Sequence, residues 1–202
     1  MASIIPKLRI IWYNSGVRIL IAGSSGGIGD AVAQAARMAG YDVIDWNRAD
    51  FESGAELPAG PYDAFVFATG MCGVAPVTQL SDDAFMEAMR VNCLLFVRLV
   101  REIVKRGLNS ADGMKVVAVS SVSANEGWPG GVAYCASKGA LSAACRALDA
   151  ELSRRGVSVR AIEPRYVKTR MFDCCAGRMG VPASEARDPR ELAEEILKGL
   201  TR

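Results

Sequence analysis

The stretch VRILIAGSSGGIGDAVAQAARMAG, residues 17–40, decides the fold. VRILIAG is an apolar run of strand length, as expected of a strand buried on both faces of a parallel sheet. DAVAQAARMAG reads as a helix with small residues near its start and Gly40 at its end. Between them lies GSSGGIG, with Gly23, Gly27 and Gly29 at the strand-to-helix turn. Small residues there let a pyrophosphate approach the helix N-terminus, whose free N–H groups stabilise its charge. Gly26 makes the turn more permissive still. A glycine run alone is a weak signal and also fits a tight structural turn. The strand–turn–helix context is what nucleotide binding requires.

Outward from this unit the pattern repeats. YDVIDW (41–46), YDAFVFATG (62–70), MKVVAVSS (114–121) and VSVRAIEP (157–164) read as strands. Helical patterns cover 81–107, a run from 133 to 155, and a final helix opened by Asp188 and Pro189. Segment 47–54 is short and predicts a linker rather than another full helix. Strands alternating with helices predict an α/β, doubly wound parallel sheet in three layers, with helices on both faces. We expect a single domain over 17–202, preceded by an extension over 1–16.

The chain has 202 residues, enough for one sizeable core. Its net charge of +2 gives no argument for nucleic acid. Histidine is absent, which removes His-based proton transfer and His metal sites, and no metal is expected. The six cysteines form no C-x-x-C pair, and reduced thiols in a cytoplasmic protein are expected. Among them, only the adjacent pair Cys174–Cys175 stands out. No segment approaches 18 uninterrupted apolar residues, so no membrane span is predicted.

In such a sheet ligands bind outside the carboxyl ends of the strands. After the second strand the sequence is DWNRAD. Asn47 in place of an acid, followed by Arg48, favours a 2′-phosphate and hence NADP; Asp45 on the ribose, hence NAD, is the alternative. Asp50 is a candidate for the adenine amine, with Phe51 beside the ring. In AYCASKGAL, 133–141, Tyr134 and Lys138 lie one helical turn apart and share a face. A lysine near a phenol favours the phenolate and lowers its pKa. A proton donor to a ketone is one reading of that pair; a solvated lysine beside a half-buried tyrosine is the other.

Together these residues give the chain a resemblance to the short-chain dehydrogenase/reductase family, over about 17–171. The glycine loop matches G-x-x-x-G-I-G as Gly23-Ser24-Ser25-Gly26-Gly27-Ile28-Gly29. The Y-x-x-x-K motif is Tyr134 to Lys138, Ser121 lies 13 residues before Tyr134, and Asn92 matches the family's helix asparagine. The resemblance implies a Rossmann-like fold and an NADP-dependent interconversion of carbonyl and alcohol, with Asn92, Ser121, Tyr134 and Lys138 as catalytic residues. It implies cofactor contacts from Gly23, Ser25, Gly27, Ile28, Gly29, Asn47, Arg48, Asp50, Phe51, Ala68, Thr69, Gly70, Tyr134, Lys138, Pro164, Val167 and Thr169. It also implies a small-molecule substrate under a lid at 171–188, and a homodimer through helices 81–107 and 133–155. Neither a nucleic-acid nor a membrane partner is expected. A non-catalytic NADP-binding or sensing protein is the alternative.

Three features depart from the family. Phe67-Ala68-Thr69-Gly70 replaces N-N-A-G, Pro164-Arg165 replaces P-G, and the family's last strand is expected to be missing. Arg165 either points outward or reshapes the site, which would suit an anionic substrate.

Overall fold

The apolar run after Val17 becomes strand β1 (Arg18–Ala22), whose last four residues are buried. It leads through the glycine turn into helix α1 (Gly27–Met38). This computed structural model describes residues 16–200, so the expected extension lies, but for Gly16, outside the described residues. The elements that follow are β2 (Asp42–Trp46), α2 (Arg48–Ser53), β3 (Ala64–Phe67), α3 (Asp82–Met89), α4 (Leu95–Lys105) and β4 (Met114–Val119). The last are α5 (Val132–Leu152), β5 (Val157–Ile162), α6 (Arg170–Met179) and α7 (Pro189–Leu200).

The five strands form one parallel sheet in the order β2-β1-β3-β4-β5. Alternate residues of each strand face opposite layers. Leu20, Ala22, Phe65 and Phe67 pack against Phe96, Leu99, Val100 and Ile103 of α4 and Leu141 of α5. Ile19, Ile21, Val66 and Val117 pack against Val32 and Ala36 of α1 and Leu192, Ala193 and Ile196 of α7. The three-layer, doubly wound architecture is therefore as expected. Phe96 anchors the first layer, its ring centroid 6.2 Å from that of Phe65 and 5.3 Å from that of Phe67. Truncating it to alanine would cost about 3–5 kcal/mol.

The structure differs from the sequence reading in three places. The segment expected as a linker contains the short helix α2. Asn47 and Asp50 form a reciprocal cap, the Asp50 carboxylate accepting from the Asn47 N–H at 2.7 Å, and Gly54 ends the helix in left-handed geometry. The long run 81–107 is broken by one turn of π-helix, Arg90–Leu94, between α3 and α4. In 171–188, where no sustained helical pattern is evident, α6 supplies an ordered helix. Among the described residues, no helix is long and apolar enough to cross a membrane.

Candidate active site

Strand β4 ends at Val119, and the chain leaves the sheet through Ser120 and Ser121. Ser120 donates to the backbone carbonyl of Lys138 at 3.1 Å, tying the strand end to α5. Ser121 caps the short turn that follows, its oxygen accepting from the Ser123 N–H at 3.1 Å. The first turns of α5 bring Tyr134 and Lys138 over the same strand end. Ser121 and Tyr134 share one cleft of about 100 Å3, whose wall includes Ile28, Trp128, Pro164, Val167, Thr169 and Phe172. A larger cavity, about 510 Å3, lies at the opposite edge of the sheet beside Val17, Met114 and Val157. The smaller one stands at the carboxyl ends of the strands, where this fold places chemistry.

Lys138 is almost fully buried, and its Nζ donates to the Val119 carbonyl at 2.9 Å. It also lies over the Tyr134 ring, 5.8 Å from the centroid. Burial disfavours the ammonium and lowers its pKa to about 8, a pull that the nearby Cys72 thiol opposes. Burial likewise pushes the Tyr134 phenol up to about 12, while a hydrogen bond with Ser121 draws it down. The expected lowering by Lys138 is thus reversed, because desolvation of the phenolate outweighs its neighbours. Tyr134 is a protonated acid at neutral pH.

The π turn sets Asn92 into the interior with no exposed surface. Its carboxamide accepts from the Met71 N–H at 2.7 Å, donates to the Met71 carbonyl at 2.9 Å, and donates to Ser137 Oγ at 2.8 Å. Asn92 therefore fixes the loop after β3 to the helix that carries Tyr134. Gly70 lies against both side chains: an added Cβ would sit 3.4 Å from Asn92 Oδ1 and from Lys138 Nζ, in ordinary contact.

The glycine turn fits a dinucleotide. An added Cβ at Gly29 would stand 2.1 Å from the Gly23 carbonyl oxygen, so only glycine lets α1 start this close to β1. Gly26 caps α1 without a side chain, leaving the first N–H groups open to a phosphate. Thr69, also at this edge, keeps a buried hydroxyl with no partner. Thr169 leans over the turn, its methyl 2.5 Å from where a Gly27 Cβ would be, while its hydroxyl accepts from the Phe172 N–H at 3.3 Å.

At the end of β2, Asn47 Oδ1 accepts from the Ser25 N–H at 2.9 Å and from Ser24 Oγ at 3.2 Å. Arg48 is exposed and pairs with Glu52 at 2.9 Å. Asp45 pairs with Arg37 of α1 at 2.5 Å. Phe51 turns edge-on to Trp46, with ring centroids 6.0 Å apart.

The family model described as short chain dehydrogenase matches residues 53–176, more than half of the chain and all four of Asn92, Ser121, Tyr134 and Lys138. The chain belongs to the short-chain dehydrogenase family. Similar curated relatives include a 3-oxoacyl-[acyl-carrier-protein] reductase of Rickettsia conorii, 27% identical over 79% of this chain and 76% of its own length. A 3beta-hydroxysteroid dehydrogenase of Mediterraneibacter gnavus is 27% identical over 91% of this chain and 79% of its own. Among solved structures, a variant of actinorhodin polyketide ketoreductase with NADPH superposes with a TM-score of 0.74. It is 20% identical, covers 91% of this chain and 90% of its own, and speaks for the fold alone. Among the described residues this short-chain dehydrogenase has five strands where the family's usual sheet has seven.

Several cleft residues escape the sequence reading. Trp128 lies 6.3 Å, centroid to centroid, from Tyr134, and its indole donates to Ser123 Oγ at 3.2 Å. Its signal was present, an aromatic in the turn GWPGG just before the Tyr-Lys helix. Cys72 and Cys175 also line the cleft, although they are 103 residues apart. Arg165 stands at the rim, paired with Glu126 at 2.7 Å, so an anionic substrate group would have to compete with that carboxylate. Among the described residues no cluster of three or more His, Cys, Asp or Glu could hold a metal ion.

Proposed function

We propose that this short-chain dehydrogenase interconverts a carbonyl and an alcohol using NADP(H), with Tyr134 as the acid and base. The observation that carries the reading is the Tyr134 phenol beside the Ser121 hydroxyl in one cleft, with buried Lys138 against its ring. Gly23, Ser25, Gly27, Ile28 and Gly29 would hold the pyrophosphate. Asn47 and Arg48 would take the adenosine 2′-phosphate, which would displace Glu52 from Arg48. Asp50 and Phe51 would border the adenine, and Ala68, Thr69, Gly70, Pro164, Val167 and Thr169 would flank the nicotinamide half. Engagement of Asp45 by Arg37 supports NADP over NAD. The NADPH of the polyketide ketoreductase is in keeping with that choice.

The bound nicotinamide supplies hydride chemistry; the protein supplies position and electrostatics. Ser121 orients the carbonyl by donating to its oxygen. Tyr134, protonated at neutral pH, gives its phenolic proton to that oxygen as negative charge develops there. Lys138, as an ammonium, stabilises the resulting phenolate. Asn92 keeps the loop after β3 in register with α5. A cleft of about 100 Å3 is small beside the ~300–1,000 Å3 of ordinary ligand sites. Helix α6 and the rest of 171–188 therefore act as a lid that opens for substrate. The long helices 82–105 and α5 serve as the surfaces of a cytoplasmic homodimer.

The test is consumption of NADPH, followed by its absorbance, with a 3-oxoacyl thioester, a ketosugar and a ketosteroid. Formation of the matching alcohol with any of them supports the reading. Tight NADPH binding without turnover of any carbonyl would replace it by a nucleotide-binding role.

A further inference from the structure

The sequence draws attention to the adjacent pair Cys174–Cys175, but the fold separates them. Cys174 is exposed, whereas Cys175 is buried and its sulfur meets that of Cys72 at 3.2 Å. Cys175 belongs to α6, the lid helix, and Cys72 to the loop that Asn92 pins after β3. Both thiols face the cleft that holds Tyr134 and Ser121. We propose that Cys72 and Cys175 are a redox-active dithiol site, whose oxidation to a disulfide locks α6 down over Tyr134.

A disulfide is about 2 Å long, so the sulfurs need close by only about 1 Å, within the reach of a lid helix. The co-reactant is a two-electron oxidant small enough to enter the cleft, such as hydrogen peroxide. Cys72 is the more exposed of the two and reacts first. Its thiolate attacks one peroxide oxygen, the O–O bond breaks, and hydroxide leaves and takes up a proton to form water. Cys72 is then a sulfenic acid. The Cys175 sulfur loses its proton and attacks the Cys72 sulfur, the S–O bond breaks, and a second water departs. Two thiols are oxidised by two electrons and one peroxide is reduced to two waters.

The surroundings set the rate. Burial, the Cys175 thiol and, more weakly, Cys135 on α5 push the Cys72 thiol up to about 12, against the pull of Lys138. The thiolate is scarce at neutral pH, so oxidation is slow and quickens as the pH rises. The cross-link would join α6 to a loop that Asn92 holds, across the opening that substrate must use. The loss of turnover rests on the carbonyl-reductase reading; the disulfide itself does not.

The experiment treats the full chain with hydrogen peroxide at about pH 8.5, where more of the thiol is ionised than at neutral pH, with peptide mapping, hydrogen exchange and NADPH turnover read in parallel. The expected result is a peptide pair linked through Cys72 and Cys175, slower exchange in α6, and less than a tenth of the reduced activity, all reversed by dithiothreitol. Cys174→Ser should behave as the wild type, while Cys175→Ser should form no such link and keep the same activity ratio before and after peroxide. Cys72 and Cys175 left unlinked, a link through Cys174, or a linked protein with unchanged α6 exchange would each overturn the proposal. If the reduced chain turns over no carbonyl, the reductase reading fails, while the linked peptide and the slowed exchange still establish the site.

Discussion

Lys138 Nζ lies over the ring of Tyr134, 5.8 Å from its centroid, and spends its hydrogen bond on the Val119 carbonyl at 2.9 Å. The cation is thus held in the interior next to the phenol, at a cost. Its pKa of about 8, against an ordinary 10.5, corresponds to about 3 kcal/mol for keeping the charge there at neutral pH.

Lys138→Met should therefore stabilise the fold. The loss of the hydrogen bond to Val119 offsets part of the gain, leaving about 1–2 kcal/mol at pH 7. The sign with pH follows from the lowered folded pKa. Between about 8 and 10.5 the unfolded lysine binds the proton that the folded one has released, so wild-type stability rises over that window. The methionine variant should lack the rise. Urea unfolding at pH 7 and at pH 10 measures both effects; a variant less stable than wild type at pH 7 would contradict them.

Carbonyl reduction should fall as pH rises through about 8, because Lys138 loses the charge that stabilises the phenolate, while Tyr134 at about 12 keeps its proton. The profile of kcat/KM, which reports the free enzyme, would show one descending limb there. A flat profile to pH 10 would separate Lys138 from catalysis.

Asn92→Ala removes three hydrogen bonds at a fully buried position and leaves the Met71 backbone unpartnered. A loss of about 2–3 kcal/mol in urea unfolding is expected. Turnover should fall further than stability alone explains, because the loop after β3, which the proposal sets beside the nicotinamide, loses its anchor. Faster amide exchange at Met71 than in the sheet would report that release, and unchanged exchange there would argue against it.

All five strands were legible: four are apolar runs closed by glycine, serine or proline, as in 17–23 and 157–164, and the second, YDVIDW, ends instead at the helix cap Asn47. The helix α2 is legible in principle from the capping-box spacing of Asn47 and Asp50, although segment 47–54 is too short for a full-length helix. The π turn around Asn92 was not legible, since RVNCLL carries the same apolar spacing in either helix type. Residues of the site were named from motif spacing, but their electrostatics were not. Spacing put Lys138 beside Tyr134 and suggested a lowered phenol pKa; only the burial of both shows desolvation prevailing. The contact between Cys72 and Cys175 lay beyond reach, because it depends on how α6 folds back 103 residues later.

Arg48→Ala tests the cofactor reading at the adenosine end. A charge-assisted bond to a phosphate is worth about 1.5–3 kcal/mol, so NADP(H) affinity should drop tenfold or more while NAD(H) affinity changes little. Calorimetric titration of both cofactors would show it. Equal wild-type affinity for the two, or no response to the substitution, would return the choice to NAD.

The most direct test of the central claim is NADPH-dependent carbonyl reduction by Tyr134→Phe beside its NADPH affinity. The substitution removes one hydroxyl from a ring that stays packed on Trp128. We predict NADPH binding within about twofold of wild type and a kcat lowered by about 10²–10⁴-fold, the usual share of general acid catalysis. A variant that binds NADPH and reduces the carbonyl at the wild-type rate would contradict the account.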